Sequence, residues 1–538
     1  MVLIRYLRWN SGRTDEMSKR KIEIFDSTLR DGAQGEGISF SVSDKLNIVK
    51  ALDSFGVDYI EAGNPGSNPK DMEFFEKASN LKLNNAKLCA FGSTARNGIH
   101  PKEDKNVKAL LSAGTETIVI FGKSWDLHVE KVLNISLEDN LKIVEDTISY
   151  LKSEGKYVIF DAEHFFDGYK SDTGYSMKVL EYAIKGGADV LALCDTNGGC
   201  LPNDVESITK EVIKRFPGIK ISIHCHNDTG CAVANSIIAV GAGASQVQGT
   251  FIGVGERCGN ADLSVIIPNL KLKMGYDCNG DISQLYATSR RIADISNTQI
   301  DNNRPYIGKS AFAHKGGMHI DGVLKINSSF EHVNPESVGN KRKLLMSEVA
   351  GRSTLIAKAS SIVPNLSKDS KEVALILEKL KEMEHYGYHF EAADASFELL
   401  VKRTMGLYKP HFNLVLYKTM GEFPVPVGGM PASATIKVEV DGKEEITAVM
   451  GNGPVNALDL ALRKSLTVFY PAIKDIRLTD YKVRVLEENS TTAAKVRVLI
   501  ETADEKRSWS TIGVSNDIIE ASLIALVDSI EYKLAMNE

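Results

Sequence analysis

The chain has 538 residues, 43% of them hydrophobic and 25% charged, with only 15 prolines. It is too long for one ordinary domain and composed like a folded soluble protein, which excludes a small stapled scaffold or a long disordered linker. Lys plus Arg total 64 against 70 Asp plus Glu, a net charge of −6 with no long basic block, so neither nucleic acid nor a membrane surface is an expected partner.

Residues 1–20 carry Arg5 and Arg8 and no adequate apolar stretch, which makes a poor signal peptide. They are expected to form a flexible extension, with Met17 as a second candidate start. No apolar run approaches the ~20 residues of a membrane span. Cysteines stand at 89, 194, 200, 225, 231, 258 and 278 with no CxxC pair. That spacing points to a reducing cytoplasm and away from a disulfide framework or a zinc ribbon.

Between residues 22 and 251 eight short apolar runs recur, beginning near Ile22, Tyr59, Leu88, Thr117, Tyr157, Val190, Ile219 and Gln246. Their starts lie 27 to 40 residues apart, room for a strand, a helix and two loops, so a (β/α)8 barrel over residues 21–290 is expected. An open doubly wound sheet is the competing fold, but its glycine-rich phosphate fingerprint after the first strand is missing.

Barrel enzymes carry their reactive groups at the carboxyl ends of the strands. Here those ends read Asp26–Gly32, Asp161–His164, Asp195–Asn197 and His224–Asp228. Histidines at i and i+2 on a strand share a face, so His224 and His226 can converge on one ion while Cys225 turns to the helices. Asp31 is the candidate oxygen ligand from across the barrel. Such a mixed set with open positions suits Mn, Fe, Co or Zn, and Mg less well. Arg30 reads either as half of a surface ion pair with Asp31 or as the group that stabilises a developing oxyanion. Glu163 is either a paired core carboxylate or a group facing the same cavity.

From 291 to 410 the strand rhythm gives way to helical, charged sequence, expected to form linker subdomains. Residues 411–538 return to alternating strands, ATIKVEV and KVRVLIE, each leading into an apolar helix. Gly453, Asn456, Leu458 and Ala461 echo Gly513, Asn516, Ile518 and Ala521 at an offset of 60, which predicts two copies of a strand-strand-strand-helix unit. The expected fold is therefore α/β: a TIM barrel, helical linker subdomains and a duplicated α+β regulatory domain.

Four motifs, FDSTLRDGAQGEG (25–37), HCHNDTGCAVANS (224–236), GVGERCGNADL (253–263) and HKGGMHIDG (314–322), occur in this order. Together they resemble the acyl-CoA condensing branch of the metal-dependent lyase barrels, which contains 2-isopropylmalate, homocitrate and citramalate synthases. The resemblance runs from about residue 21 to 535. It implies that Asp31, His224 and His226 bind a divalent ion (Mn, Mg, Zn or Co), with Asn260 a further ligand. It implies that Arg30 polarises the keto oxygen of a 2-oxo acid, Glu163 assists proton movement and Thr196 holds the acid's carboxylate. His319 is the candidate base, reaching the site of a partner subunit in a homodimer. Acetyl-CoA is the implied co-substrate. The run FDAEHFFDGYK with CDTNGG resembles the long citramalate synthase group, which points to pyruvate as acceptor, with Phe165 or Phe166 limiting the pocket unless both are core. The rival acceptor is 2-oxoisovalerate, as in 2-isopropylmalate synthases. An acyl-CoA lyase and a non-catalytic amino-acid sensor are rivals of other classes. The terminal domain is expected to bind isoleucine as an end-product inhibitor, with GEFPVPVGGMPAS as a closing loop.

Overall fold

The computed structural model describes residues 20–345, 352–360, 362–363, 366, 370–425, 428–486, 494–504 and 507–536. The expected N-terminal extension, up to residue 19, lies outside the described residues. The chain forms two compact units, one comprising its residues up to Phe312 with Val333–Lys341, the other Ala313–His332 with Arg342 onward.

In the first unit eight parallel strands close into a barrel: β1 (Lys21–Asp26), β2 (Tyr59–Gly63), β3 (Lys87–Ser93), β4 (Thr117–Lys123), β5 (Tyr157–Glu163), β6 (Val190–Asp195), β7 (Lys220–Cys225) and β8 (Gln246–Gly249). Closure is made by β1, which pairs with β8 from Glu23↔Gln246 to Asp26↔Gly249 and with β2 at Phe25↔Tyr59. Strands such as VLALCD are buried throughout because helices cover their outer face. The helix Val42–Phe55 shows how local sequence sets these connections. It opens on a capping box between Ser41 and Asp44 and stops at Gly56, whose φ of 98° suits glycine.

Period-two alternation sorts each strand. Outward side chains join the large core between barrel and helices, and Cys225 is among them. Inward, Phe25, Tyr59, Cys89, Val119, Ile159 and Val190 form an apolar layer. Two residues further along four of these strands the inward positions become Glu61, Phe91, Phe121 and Asp161, so the apolar layer floors a more polar mouth.

In the second unit, Ala313–His314 pairs with Lys343–Leu344 beside the helix Gly317–Lys325. Helices Arg352–Ala359, Lys371–Tyr386 and Asp394–Thr404 follow and share a core that includes Val373, Ile376 and Phe397. Two repeats come next. Strands β9 (Asn413–Gly421), β10 (Ala432–Val440) and β11 (Lys443–Gly451) precede the helix Pro454–Thr467, and β12 (Arg477–Val485), β13 (Val496–Ala503) and β14 (Ser508–Ser515) precede the helix Ile518–Ala535. The duplication is real but its offset is 64, as Asn413 and Arg477 or Pro454 and Ile518 show. Even the bulges correspond, at Leu414/Leu416 and Leu478/Asp480. The expected offset of 60 is four residues short. Four residues is about one helical turn, so the misaligned helices still match apolar face to apolar face.

Candidate active site

The mouth of the barrel gathers Arg30, Asp31, His224, His226 and Asn260. The first two stand just beyond β1, where Ser27 accepts the backbone N–H of Asp31 and turns it inward. Arg30 and Asp31 are no surface pair: their side chains are 12% and 5% exposed. The Arg30 guanidinium donates to Glu61 at 2.6 Å and to Asp31 at 3.0 Å, and lies 3.8 Å over the centroid of the Phe91 ring. Phe91 in turn stacks on Phe121 with centroids 5.2 Å apart. Two carboxylates and an aromatic face hold the cation planar and fixed, the condition under which it can meet developing negative charge without reorganising.

Asp31 Oδ2 lies 3.5 Å from His224 Nε2 and 3.7 Å from His226 Nε2. Asn260 donates to the other oxygen, Oδ1, at 3.0 Å. Burial by itself would raise the Asp31 pKa, but Arg30 and the histidines outweigh it and hold the carboxyl well below its usual range. Burial and then His224 push His226 down to about 4, so it presents a neutral ring at pH 7. Behind His224, Nδ1 meets Gln248 Oε1 at 3.0 Å, and Gln248 donates to Asp161 at 3.1 Å. This chain places a proton of His224 on Nδ1 and leaves Nε2 facing Asp31; burial alone would lower the His224 pKa, but the hydrogen bond and charge of Asp31 outweigh it and raise it. Burial, followed by the Glu61 carboxylate, pushes Asp161 up to about 7.

A divalent cation fits this arrangement. One ligand atom from each of Asp31, His224 and His226 lies within 4.8 Å of the others, and a carboxylate beside two imidazoles is a donor set that suits a divalent ion. Asn260 Oδ1 is also buried without a hydrogen-bond partner among the described residues. The glycine-rich loop makes this approach possible: a Cβ on Gly255 would fall 2.2 Å from Asn260 Nδ2. Arg257 in the same loop grips Asp228 at 2.8 and 3.0 Å and the Thr196 carbonyl at 2.8 Å.

The other expected residues are placed differently. Glu163 ends β5 in an ion pair with Lys123. Thr196 follows β6 and accepts the His164 backbone N–H at 2.8 Å, which leaves its own O–H free to donate elsewhere. Phe165 and Phe166 are both 0% exposed and belong to the core between barrel and helices. They sit on the first turn of the helix Phe165–Ser171, past the strand, where helical geometry turns them into that core, so they cannot wall the acceptor pocket. The aromatic pair facing the mouth is Phe91 and Phe121. His319 belongs to the second unit, exposed on the helix Gly317–Lys325 and stacked on Phe330 with centroids 4.3 Å apart.

Glu61, Phe91, Lys123 and Gln248 escaped the sequence analysis. Their signal was an acidic, aromatic, basic or amide residue at an inward position near the end of an otherwise apolar strand, as in YIEAG and QVQG.

The HMGL-like family model matches residues 21–292, a homocitrate synthase post-HMGL domain-like model 306–387 and a LeuA allosteric (dimerisation) domain model 391–534. The (R)-citramalate synthase of Aquifex aeolicus is 52% identical over 520 residues, spanning 96% of this chain and 98% of that protein. The (R)-citramalate synthase of Geobacter sulfurreducens is 49% identical with the same coverage. The 2-isopropylmalate synthase of Methanocaldococcus jannaschii is 31% identical over 96% of each chain. With three of its four motifs assembled at the barrel mouth and 96% of its length shared with these relatives, the chain belongs to the (R)-citramalate synthase family, built on an HMGL-like barrel.

Proposed function

We propose that the chain condenses acetyl-CoA with pyruvate and water to give (R)-citramalate and free CoA, as an acyltransferase that leaves an alkyl product. The observation that carries this is the direct joining of Arg30, fixed by Glu61, to the Asp31–His224–His226 set. A divalent ion held by that set, with Asn260, would supply Lewis-acid polarisation of the acceptor carbonyl. Arg30 presents its guanidinium to the keto oxygen as that oxygen gains charge, and Thr196 donates its hydroxyl proton to the acceptor carboxylate. A base, which we assign to His319 of a partner subunit, removes a methyl proton from acetyl-CoA. The enolate carbon attacks the keto carbon, and the new alkoxide takes up a proton with the help of Glu163 and Lys123. Water then cleaves the thioester and releases the CoA thiol, which draws the condensation forward.

We assign residues 21–290 to catalysis, 291–410 to linkage and 411–538 to regulation. A cavity of about 640 Å³ between the repeats favours isoleucine as effector, in a branch of metabolism leading to that amino acid. Asp459 and Arg463, 2.7 Å apart, offer both charges a zwitterion needs, beside apolar Val455, Leu460 and Leu478. The loop 421–433 is described only in part, and none of its described residues belongs to that lining. Exposed Leu416, Met420, Ile446 and Met450 on β9 and β11 suit a homodimer. The seven free cysteines suit a cytoplasmic setting, and no helix among the described residues is long and apolar enough to cross a membrane. The test is product analysis: metal-supplied protein given acetyl-CoA and pyruvate should release thiol and citramalate in equal amounts, and thiol release without citramalate would refute the proposal.

A further inference from the structure

Thr196, which we assign to the acceptor carboxylate, is gripped from both sides by residues that take no part in the proton transfers. On one side the His164 backbone N–H donates to its Oγ1 at 2.8 Å, so the hydroxyl proton points away from that contact. On the other the Arg257 guanidinium donates to its carbonyl at 2.8 Å while holding both oxygens of Asp228 at 2.8 and 3.0 Å. Arg257 thereby ties the loop after β8 to the loops after β6 and β7. Glycine is required at position 198, where φ is +62° and a Cβ would fall 2.5 Å from the Asp228 carboxylate.

Both grips are made from strained backbone. Among the described residues seven that are not glycine have positive φ, and His164 at 58° and Arg257 at 55° are two of them. Such conformations persist only where the surroundings over-determine them, and they collect at functional sites. His164 is held by its ring: Nδ1 meets Asp167 at 3.0 Å, Asp167 also accepts from Asn197 at 3.0 Å, and the ring centroid lies 4.3 Å from that of His128. Arg257 is held by Asp228. A planar fork that engages both oxygens of a carboxylate keeps one orientation, and here that orientation also fixes the Thr196 carbonyl. The Arg257 side chain is 40% exposed, so little core packing depends on it.

Resting on the citramalate synthase reading above, we propose that Arg257, anchored by Asp228, is a positioning residue that aims the Thr196 hydroxyl at the acceptor carboxylate and so sets the affinity for the 2-oxo acid. Arg257→Ala should raise the KM for pyruvate about tenfold, the size expected when one hydrogen bond to a charged group is misaligned, and leave the KM for acetyl-CoA within about twofold. Asp228→Ala, which removes the anchor and keeps Arg257, should do the same. Thr196→Val keeps the carbonyl and loses the hydroxyl. In that background Arg257→Ala should move the pyruvate KM by less than about twofold, because the group it aims is gone, whereas an arginine that met the acceptor with its own charge would add its penalty in full. Asn260 shares the loop with Arg257, so calorimetric affinity for Mn²⁺ without substrate separates a lost clamp from a displaced ion ligand, and it should stay within about twofold of the parent. The proposal is overturned if both single variants leave the pyruvate KM unchanged, if the penalties of Arg257→Ala and Thr196→Val add, or if the KM for acetyl-CoA rises or the affinity for Mn²⁺ falls in parallel. Failure of the parent enzyme to release thiol in the presence of pyruvate would instead overturn the functional reading on which it rests.

Discussion

Replacing Arg30 separates catalysis from architecture, because its surroundings give the two roles different signatures. Arg30→Ala removes one preorganised contact to the keto oxygen, worth about 3 kcal/mol, so kcat should fall roughly a hundredfold or more with little change in pyruvate KM. The same change strands Glu61, whose side chain is 0% exposed and whose Oε2 loses the 2.6 Å donor. A buried carboxylate left without its partner costs about 3–5 kcal/mol, so the variant should also melt several degrees lower. Adding Glu61→Gln takes away the stranded charge. The double variant should regain most of the lost stability and none of the lost rate. Melting curves by circular dichroism and thiol release from acetyl-CoA read the two effects separately. If the double variant recovers rate along with stability, or if Arg30→Ala stays within a few-fold of the parent, Arg30 is a structural cation and the assignment fails.

Three further outcomes are expected. His226→Ala should abolish divalent-ion binding and turnover with the barrel still folded, and Gln248→Leu, which frees the Nδ1 of His224, should weaken ion binding about 10–100-fold by calorimetry; unaltered affinity in both would remove the metal assignment. In ion-free protein burial and then Glu61 push the Asp161 pKa up to about 7, above the 3.8 of an ordinary aspartate, so the native state binds the extra proton and stability declines as pH rises through that interval. Asp161→Asn, which keeps an acceptor for Gln248, should flatten this decline, and identical slopes for variant and parent would contradict it. Isoleucine at millimolar levels should inhibit the enzyme and raise its melting temperature, and Arg463→Ala should blunt both effects; insensitivity of the intact protein to isoleucine, leucine and valine would end the regulatory assignment.

What could be read from sequence followed locality. Asp31, His224 and His226 were legible because strand ends are recognisable and a period of two fixes which side chains share a face. Their supports were not. Gln248 meets His224 only because β8 lies beside β7, and Glu61 meets Arg30 only because closure brings β2 against β1, facts that no local window contains. Phe165 and Phe166 misled for a related reason: two residues past a strand the chain is already helical, and the alternation that assigned Glu163 to the mouth no longer applies. The repeat offset failed by about one turn because helical faces recur nearly every four residues, and only the strand registers and their bulges remove that degeneracy.

The central claim is best tested by acceptor choice. Metal-supplied full-length protein should be given acetyl-CoA with pyruvate, 2-oxobutyrate, 2-oxoisovalerate or 2-oxoglutarate, and thiol release followed as kcat/KM for each. Family membership predicts pyruvate as the preferred acceptor, with the branched 2-oxoisovalerate strongly disfavoured; a higher kcat/KM for 2-oxoisovalerate would contradict the assignment and make the chain a 2-isopropylmalate synthase.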